Sequence, residues 1–169
     1  NALAAIRVCE HLGIPLATIV SALEKLAPVP GRVEFVRGGQ NFDVVVDYAH
    51  TPDSLKALYA AFPRQKKICV LGNTGGGRDT WKRPAMGKIA DEMCDTVILT
   101  NEDPYDEDPR AIVDAMAKGM ERTPTVVMDR REAIREALRQ AQAADQNVVV
   151  LISGKGTDPF IMGPRGQRE

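Results

Sequence analysis

The sequence predicts an α/β fold, in which helices cover both faces of a doubly wound, mostly parallel sheet. Two observations lead to this prediction. Segments with helical spacing of apolar residues alternate with short apolar segments along most of the 169 residues. The short segments, such as VVVLI at 148–152, are continuously apolar, which is typical of strands buried on both faces. We therefore expect a Rossmann-like sheet with an N-terminal hairpin, preceded by a short helical remnant.

The first 32 residues differ from the rest. Apolar spacing predicts helices over 2–12 and 16–26, and the segment APVPGR at 27–32 has the composition of a linker. We therefore expect residues 1–32 to be the helical tail of a preceding domain with its linker, and residues 33–169 to form the Rossmann-like domain.

The remaining elements follow in order. VEFVR and FDVVVD flank a pair of glycines and predict the hairpin. Four helices then alternate with four strands. The helices are predicted over 54–62, 84–93, 111–119 and 131–144, and the strands that follow them over 67–71, 96–100, 125–128 and 147–152.

Composition excludes several classes of protein. The chain has 22 Lys+Arg and 23 Asp+Glu, and 5% of its residues are aromatic, so it has no chain-wide basic field for nucleic acid. Its apolar runs are shorter than the roughly 18 residues that cross a membrane. The three cysteines are widely spaced without a CxxC pair, which predicts reduced, buried thiols in a cytoplasmic protein and neither a disulfide scaffold nor a metal site.

The most unusual residues follow the predicted strands. The four loops that leave the carboxyl ends are DYAHTP (47–52), GNTGGGRDTWKRP (72–84), TNEDPYDEDP (100–109) and SGKGTDP (153–159). Loops at the opposite edge are ordinary polar turns. Because ligands of open α/β sheets bind beyond the carboxyl ends of the strands, we expect one site at this edge.

The glycine-rich loop resembles a phosphate-binding loop without matching it. Arg78 and Asp79 stand where GxxxxGK[ST] requires lysine and a hydroxyl. Its glycines still allow backbone amides to approach an anion, and Arg78, Lys82 and Arg83 add three cations. This predicts an anion site; the alternative is a solvated loop with an Arg–Asp pair.

The acidic loop has five carboxylates in seven positions. Those at 106–108 favour the N-terminus of the following helix. Glu102, Asp103 and Tyr105 lie nearer the strand end and can face a ligand ammonium; metal binding remains an alternative, although no histidine lies nearby. Cations on one loop and carboxylates on another suggest a ligand with both charges, such as an amino acid.

Several motifs together identify a resemblance. PGRVE, VVVDYAHTPDSL, GGGRDTWKRPAMGKIA, DPYDEDP, DRREAI and SGKG occur in an order that resembles the C-terminal part of a Mur ligase, and the likeness covers nearly the whole chain. The most similar members are those that make the UDP-N-acetylmuramyl-tripeptide. The likeness implies that residues 1–32 are the tail of the central ATPase domain and that residues 33–169 are the C-terminal ligase domain.

The resemblance implies an ATP-dependent amide ligase of peptidoglycan synthesis, which adds the third amino acid to a UDP-N-acetylmuramoyl-dipeptide. In this family ATP phosphorylates a carboxylate, and the incoming amino group attacks the acyl phosphate. The domain would bind the amino acid and close over ATP together with the upstream domains. Magnesium ligands are expected mainly in the central domain. No catalytic residue is assigned here, and we expect this chain alone to lack ligase turnover.

The resemblance also implies site residues. By this resemblance, the residues that would contact the nucleotide are Asn1, Arg32, Asp47 and His50. Its contacts to the incoming amino acid fall on Arg78, Glu102, Asp103, Pro104, Tyr105, Gly154 and Asp158.

Two departures from the family pattern bear on the substrate. The DNPR motif of members that use meso-diaminopimelate is EDPY at 102–105, and GKGHE becomes GKGTD. The loss of an arginine and the gain of an acid predict L-lysine or ornithine, rather than meso-diaminopimelate, as the diamino acid.

Other functions remain open. Folylpolyglutamate synthases share the architecture and part of the DYAH motif, so a ligase domain of that kind is the nearest alternative. A non-catalytic domain that binds an amino acid or nucleotide would share the polar edge of the sheet. A phosphotransferase using the degenerate glycine loop is disfavoured by Arg78 and Asp79.

Overall fold

A computed structural model describes residues 2–77, 79–144, 147–166 and 168. Within them, helices and strands alternate as the sequence predicts, and a short 3-10 turn lies at Pro164–Gly166. The helices are α1 (Ala2–His11), α2 (Leu16–Glu24), α3 (Pro52–Ala60), α4 (Lys82–Met93), α5 (Pro109–Ala117) and α6 (Arg130–Ala143). The strands are β1 (Glu34–Phe35), β2 (Asp43–Val46), β3 (Lys66–Leu71), β4 (Thr96–Leu99), β5 (Thr125–Val126) and β6 (Val148–Ile152).

The strands form one sheet in the order β1-β2-β6-β3-β4-β5. β1 and β2 are the antiparallel hairpin, and every other neighbouring pair is parallel. The last strand of the chain, β6, lies between β2 and β3, with Val150 opposite Val44 on one side and Ile68 on the other. The predicted α/β fold with a mostly parallel sheet and an N-terminal hairpin is therefore confirmed.

Helices cover both faces of the sheet. On one face, α3, α4 and α5 pack against the side chains of Val149 and Leu151. On the other face, α6 contacts the alternate residues of the same strand, Val148 and Val150, through a row of alanines that includes Ala137. Both sets of strand residues are buried, which explains why the strand reads as a continuous apolar run.

Helices α3 to α6 begin one or two residues before the predicted starts. Pro52 and Pro109 occupy the first turns of α3 and α5, where the missing N–H has no helical partner to lose. The side chains of Thr51, Asp108 and Asp129 cap the N-termini of α3, α5 and α6.

The prediction that all cysteines are reduced is wrong for two of them. Cys69 in β3 and Cys94, which follows α4, form a buried disulfide, while Cys9 is free. The helix α4 runs back along the sheet and brings the two Cα atoms to 6.2 Å, although the residues are 25 apart in sequence. Spacing alone does not reveal this proximity.

The two N-terminal helices differ from the rest in burial. α1 buries none of its residues, and α2 buries only Ile19. Leu3 and Leu12 are among the exposed apolar side chains of this region. Within the described residues, no helix has both the length and the apolar character needed to span a membrane.

Candidate amino-acid and nucleotide site

The loops at the carboxyl edge contact one another, as predicted. The N–H of Gly75 donates to the carbonyl of Asp103 at 2.7 Å, and the N–H of Gly154 donates to the carbonyl of Asp47 at 3.1 Å. The N–H of Tyr105 donates to the carbonyl of Met162 at 2.9 Å. The four loops therefore form one continuous surface.

A buried lysine joins two of these loops. Lys155 Nζ lies 2.7 Å from both carboxylate oxygens of Asp103 and 2.8 Å from Oδ2 of Asp158. Burial acts to lower the pKa of Lys155, but the two carboxylates outweigh it and raise that pKa overall. The hydrogen bond from Lys155, with a second from the N–H of Phe160, lowers the pKa of Asp158. Both acids thus have a cation of the chain itself as partner.

Glu102 lies deeper than the sequence suggests. It is 2% exposed, and its Oε1 accepts a hydrogen bond from the Thr74 hydroxyl at 3.0 Å. Its Oε2 has no hydrogen-bond partner among the described residues. Burial raises the pKa of Glu102, and the nearby Arg130 guanidinium opposes that shift. Glu102 and Asp103 are thus both buried beside cations of the chain itself, and the expectation that they face a ligand ammonium stays a prediction.

Gly154 makes room for that buried acid. Its φ is +105°, and a Cβ at this position would lie 2.0 Å from Oε2 of Glu102. Pro104 is also buried, with its carbonyl against Gly75. The resemblance implies seven contacts to the amino acid, and the structure describes six of these residues. Tyr105 and Asp158 are the exposed ones among these six.

Sequence reasoning missed Arg130, which begins α6. Its guanidinium donates to the carbonyl of Ser153 at 2.7 Å and to that of Asn101 at 3.4 Å, and its side chain is buried. Burial lowers the pKa of Arg130, and Glu102 and Asp103 oppose the shift. The motif DRREAI contained the residue, but no local pattern distinguishes a buried arginine from an exposed one.

The glycine-rich loop is held by an acid from the loop after β4. Glu107 accepts hydrogen bonds from the N–H of Gly77 at 2.6 Å and from two nitrogens of Arg83 at 2.9 and 3.0 Å. The Arg83 hydrogen bond is the largest factor that lowers the pKa of Glu107. The prediction that Arg83 supplies a cation for a bound anion is therefore wrong, because its partner is Glu107. The prediction that Glu107 only favours the N-terminus of the following helix is also wrong. Asp108 caps α5 as predicted.

Two predicted site residues, Asn1 and Arg78, lie outside the described residues. Their implied contacts to the nucleotide and the amino acid remain predictions.

The described residues implied for the nucleotide, Arg32, Asp47 and His50, are clustered near β2. Asp47 accepts hydrogen bonds from the N–H groups of Val33 at 2.8 Å and Ala49 at 2.7 Å. The Arg32 guanidinium lies 4.8 Å from the centre of the Tyr48 ring, which contacts the His50 ring edge-on. Arg32 and His50 are exposed. Asp47 thus organises the backbone, while a cation and two rings face outward.

A cavity of about 620 Å³ opens beside this edge, between the N-terminus of α6 and the loop after β6. Lys155 and Asp158 line it together with Arg130 and Arg131. Within the part of the chain that the structure describes, no group of three or more His, Cys, Asp and Glu residues is placed to hold a metal ion.

Several curated proteins are similar to this chain in sequence. A UDP-N-acetylmuramoyl-L-alanyl-D-glutamate--2,6-diaminopimelate ligase of Geobacillus thermodenitrificans is 46% identical over 166 residues, which cover 95% of this chain and 33% of the relative. The ligase of the same name from Trichormus variabilis is 45% identical over 167 residues, again 95% of this chain and 33% of the relative. The chain thus spans about one third of the length of these curated relatives.

Solved structures are similar to this chain as well. A structure of a UDP-N-acetylmuramoyl-L-alanyl-D-glutamate--2,6-diaminopimelate ligase matches 99% of this chain and 34% of its own, with a TM-score of 0.72 and 34% identity. A pseudomurein peptide ligase type C from Methanothermus fervidus is similar in fold alone, at 23% identity and a TM-score of 0.69 over 92% of this chain and 32% of its own.

The relatives overturn the expected preference for L-lysine or ornithine, because these ligases are named for 2,6-diaminopimelate. The structure gives the physical reason. Lys155 pairs with both Asp103 and Asp158, and Glu102 is buried near Arg130. The three acids that seemed to favour a simple cationic side chain therefore lie beside two cations of the chain itself, which offset most of their negative charge.

The family assignment rests on a separate comparison. Residues 31–156 match the family described as "Mur ligase, glutamate ligase domain". This match covers most of the chain, including the hairpin and most of the sheet's carboxyl edge. It confirms the resemblance drawn from the motifs, and the chain belongs to the Mur ligase family.

Proposed function

We propose that the chain supplies the C-terminal domain of an ATP-dependent ligase that joins 2,6-diaminopimelate to UDP-N-acetylmuramoyl-L-alanyl-D-glutamate in the cytoplasm. Residues 33–169 are the ligase domain in this proposal, and residues 1–32 are the tail and linker of the central ATPase domain. The observation that carries the proposal is 46% identity to such a ligase over 95% of the chain. Because the chain spans one third of that relative, the complete reaction belongs to a larger protein.

The chemistry defines the domain's task. The γ-phosphoryl group of ATP is transferred to the dipeptide carboxylate, which gives ADP and an acyl phosphate. The amino nitrogen of the incoming amino acid then attacks the carbonyl carbon, loses a proton and displaces phosphate. The domain would hold that amino group beside the acyl phosphate and exclude water, which would otherwise hydrolyse it.

The surface near β2 fits a nucleotide. The exposed Arg32 guanidinium can bind phosphate oxygens, and the rings of Tyr48 and His50 offer faces and edges to a base or ribose. His50 Nδ1 bonds to the Tyr48 carbonyl at 2.8 Å, so its Nε2 remains for a ligand. Asp47 positions this surface through its backbone contacts. No cluster of three or more His, Cys, Asp and Glu residues is placed to hold a metal ion within the described residues. We therefore assign no magnesium ligand to them.

The converging loops form the proposed amino-acid site. Asp158 and Tyr105 would contact the amino acid directly, because both side chains are exposed at the carboxyl edge. Asp103, Pro104 and Gly154 are buried, and they would shape the site by fixing its loops. Glu102 would act in the same way, and Arg78 retains its proposed contact to the substrate carboxylate.

The test is ligation by the complete protein that carries this chain. With ATP, Mg²⁺, UDP-N-acetylmuramoyl-L-alanyl-D-glutamate and 2,6-diaminopimelate, we expect release of phosphate and formation of one amide bond per ATP. The 169-residue chain alone should give none. Turnover with a folate and glutamate instead would support the folylpolyglutamate synthase alternative. Failure of ligation, together with tight amino-acid or nucleotide binding by the chain alone, would support a non-catalytic binding domain, because a closing ligase domain should bind weakly until its partner domain is present.

A further inference from the structure

The chain enters β1 through a strained residue. Val33, which directly precedes this strand, has a φ of +47°. A β-branched residue rarely adopts this left-handed region, because its side chain crowds the backbone there. Among the described residues other than glycine, four more have a positive φ, and Val33 is the only β-branched one of the five. Such strain persists only where the surrounding structure holds the residue in place.

The Asp47 carboxylate holds Val33 from one side. The N–H of Val33 donates to Oδ2 of Asp47 at 2.8 Å, and the N–H of Ala49 donates to Oδ1 at 2.7 Å. Asp47 is itself fixed to the sheet, because its N–H donates to the carbonyl of Ile152 and its carbonyl accepts the N–H of Gly154. The carboxylate therefore connects the end of the linker to a rigid part of the fold.

Gly31 holds the chain on the other side of Val33. Its N–H donates to Oε2 of Glu34 at 2.7 Å, a hydrogen bond that spans Val33. Gly31 is also buried, and a Cβ on it would lie 2.8 Å from the backbone nitrogen of Thr157. The backbone of Val33 therefore cannot relax without breaking contacts on both sides.

Arg32 lies between these two fixed points. Its side chain is exposed, and its guanidinium lies 4.8 Å from the centre of the Tyr48 ring. Relaxation of Val33 to an ordinary negative φ would turn the preceding residue, Arg32, by roughly 100° or more about the N–Cα bond of Val33. The guanidinium would then leave the Tyr48 ring and the surface proposed for the nucleotide.

We propose that Val33 is a positioning residue, whose strained backbone directs Arg32 toward the phosphate groups of ATP. Asp47 acts through Val33, because its hydrogen bond keeps the left-handed conformation. The inference rests on the proposed function, in which Arg32 binds phosphate oxygens. It assigns to Val33 a role in ATP binding that its apolar side chain does not indicate.

The test uses glycine, which adopts a positive φ without strain. In the complete ligase, we expect Asp47→Ala to raise the KM for ATP about tenfold or more, as the loss of a charge-assisted hydrogen bond does. The KM for 2,6-diaminopimelate should show no comparable rise. Adding Val33→Gly to Asp47→Ala should restore the KM for ATP in part, because glycine can keep the conformation without the Asp47 carboxylate.

Val36→Gly, added to Asp47→Ala, is the matched control for this rescue. Val36 is 44% exposed, against 43% for Val33, and it has no positive φ, so its replacement should restore nothing. Failure of Val33→Gly to lower the KM for ATP in the Asp47→Ala protein would overturn the inference. Equal recovery with Val33→Gly and Val36→Gly would overturn it as well.

Urea unfolding of the two single glycine variants is a second test, which does not depend on the folding of Asp47→Ala. Val36→Gly should lower the midpoint of unfolding, because glycine makes the unfolded chain more flexible. Val33→Gly should lower the midpoint less or raise it, because it also relieves strain in the folded chain. A fall as large as that of Val36→Gly would contradict the strain on which the inference depends.

Calorimetric titration of the complete protein with ATP separates the inference from the proposed function. Recovery of ATP affinity by Val33→Gly, in a protein without ligase turnover, would support the inference and contradict the function. Ligase turnover without that recovery would do the reverse. Absence of both turnover and ATP binding would contradict both.

Discussion

Lys155 Nζ lies 2.7 Å from both carboxylate oxygens of Asp103, so a buried ion pair joins the loops after β6 and β4. The two residues are 52 positions apart in sequence. Asp103 also accepts the N–H of Met162 at 2.8 Å. This pair fixes the shape of the carboxyl edge and balances an acid that would otherwise repel a substrate carboxylate.

Replacing Lys155 should therefore destabilise the chain. In Lys155→Met, the carboxylate of Asp103 stays buried without its cation, and we expect the free energy of unfolding to fall by about 3 kcal/mol. Lys88→Met is the matched control, because its pair with Glu92 is exposed and should contribute less than about 0.5 kcal/mol. Urea unfolding of both variants tests this prediction. An equal loss of the free energy of unfolding in the two variants would show that the buried pair stabilises the chain no more than the exposed pair does.

Glu107 should stabilise the chain only when it is ionised. We expect Glu107→Gln to lower the free energy of unfolding by about 2 kcal/mol at pH 7, because the buried Arg83 loses its carboxylate. The pKa of Glu107 is lowered from its ordinary 4.5 in the folded chain. Its stabilisation is therefore present above that value and is lost as the pH falls through the lower folded pKa.

Urea unfolding at several pH values from 7 down to 3 measures this effect. The difference between the unmodified chain and Glu107→Gln should shrink as the pH drops below about 4.5. A difference that stays constant across this range would contradict the role of the ionised carboxylate.

Glu102 should show the opposite pH dependence. Burial raises its pKa above the ordinary 4.5 in the folded chain, so its contribution is fully present below that value and is lost as the pH rises through the folded pKa. We expect the unmodified chain to lose stability relative to Glu102→Gln as the pH rises above 4.5. The exposed Glu92, replaced by glutamine, serves as control. A growing advantage of the unmodified chain with rising pH would refute this expectation.

Substitution of Gly154 should destabilise the chain, because Glu102 lies too close to leave room for a side chain. Gly154→Ala would place a methyl group 2.0 Å from Glu102 Oε2 at a φ of +105°. Gly39 also has a positive φ, of +83°, but a Cβ there would meet nothing within 4 Å. We expect Gly39→Ala to cost about 1 kcal/mol from backbone strain and Gly154→Ala about 2 kcal/mol more from the contact. Thermal and urea unfolding measure these costs. Equal losses of the free energy of unfolding in the two variants would contradict the close contact.

Local sequence pattern predicted the fold well. The run VVVLI of β6 has one face toward α6 and one toward α3 to α5, so it is apolar throughout. Helix starts were less accurate, since Pro52 and Pro109 read as loop residues although each lies in the first turn of a helix. The convergence of the four loops was predictable because parallel strands place their carboxyl ends at one edge of the sheet.

The partners within the site were not predictable, because they join residues far apart in the chain. Nothing near Glu107 in sequence indicates Arg83, which is 24 positions away. Counting the acids gave a negative surface, whereas Lys155 and Arg130 lie beside these acids and offset most of their charge. The substrate preference drawn from that count was wrong for this reason.

The most direct test is a crystal structure of the complete ligase with 2,6-diaminopimelate and a non-hydrolysable ATP analogue. We expect the amino acid at the carboxyl edge of the sheet, in contact with Asp158 and Tyr105. Electron density for 2,6-diaminopimelate away from this edge, with Asp158 and Tyr105 both free of it, would contradict the proposed site.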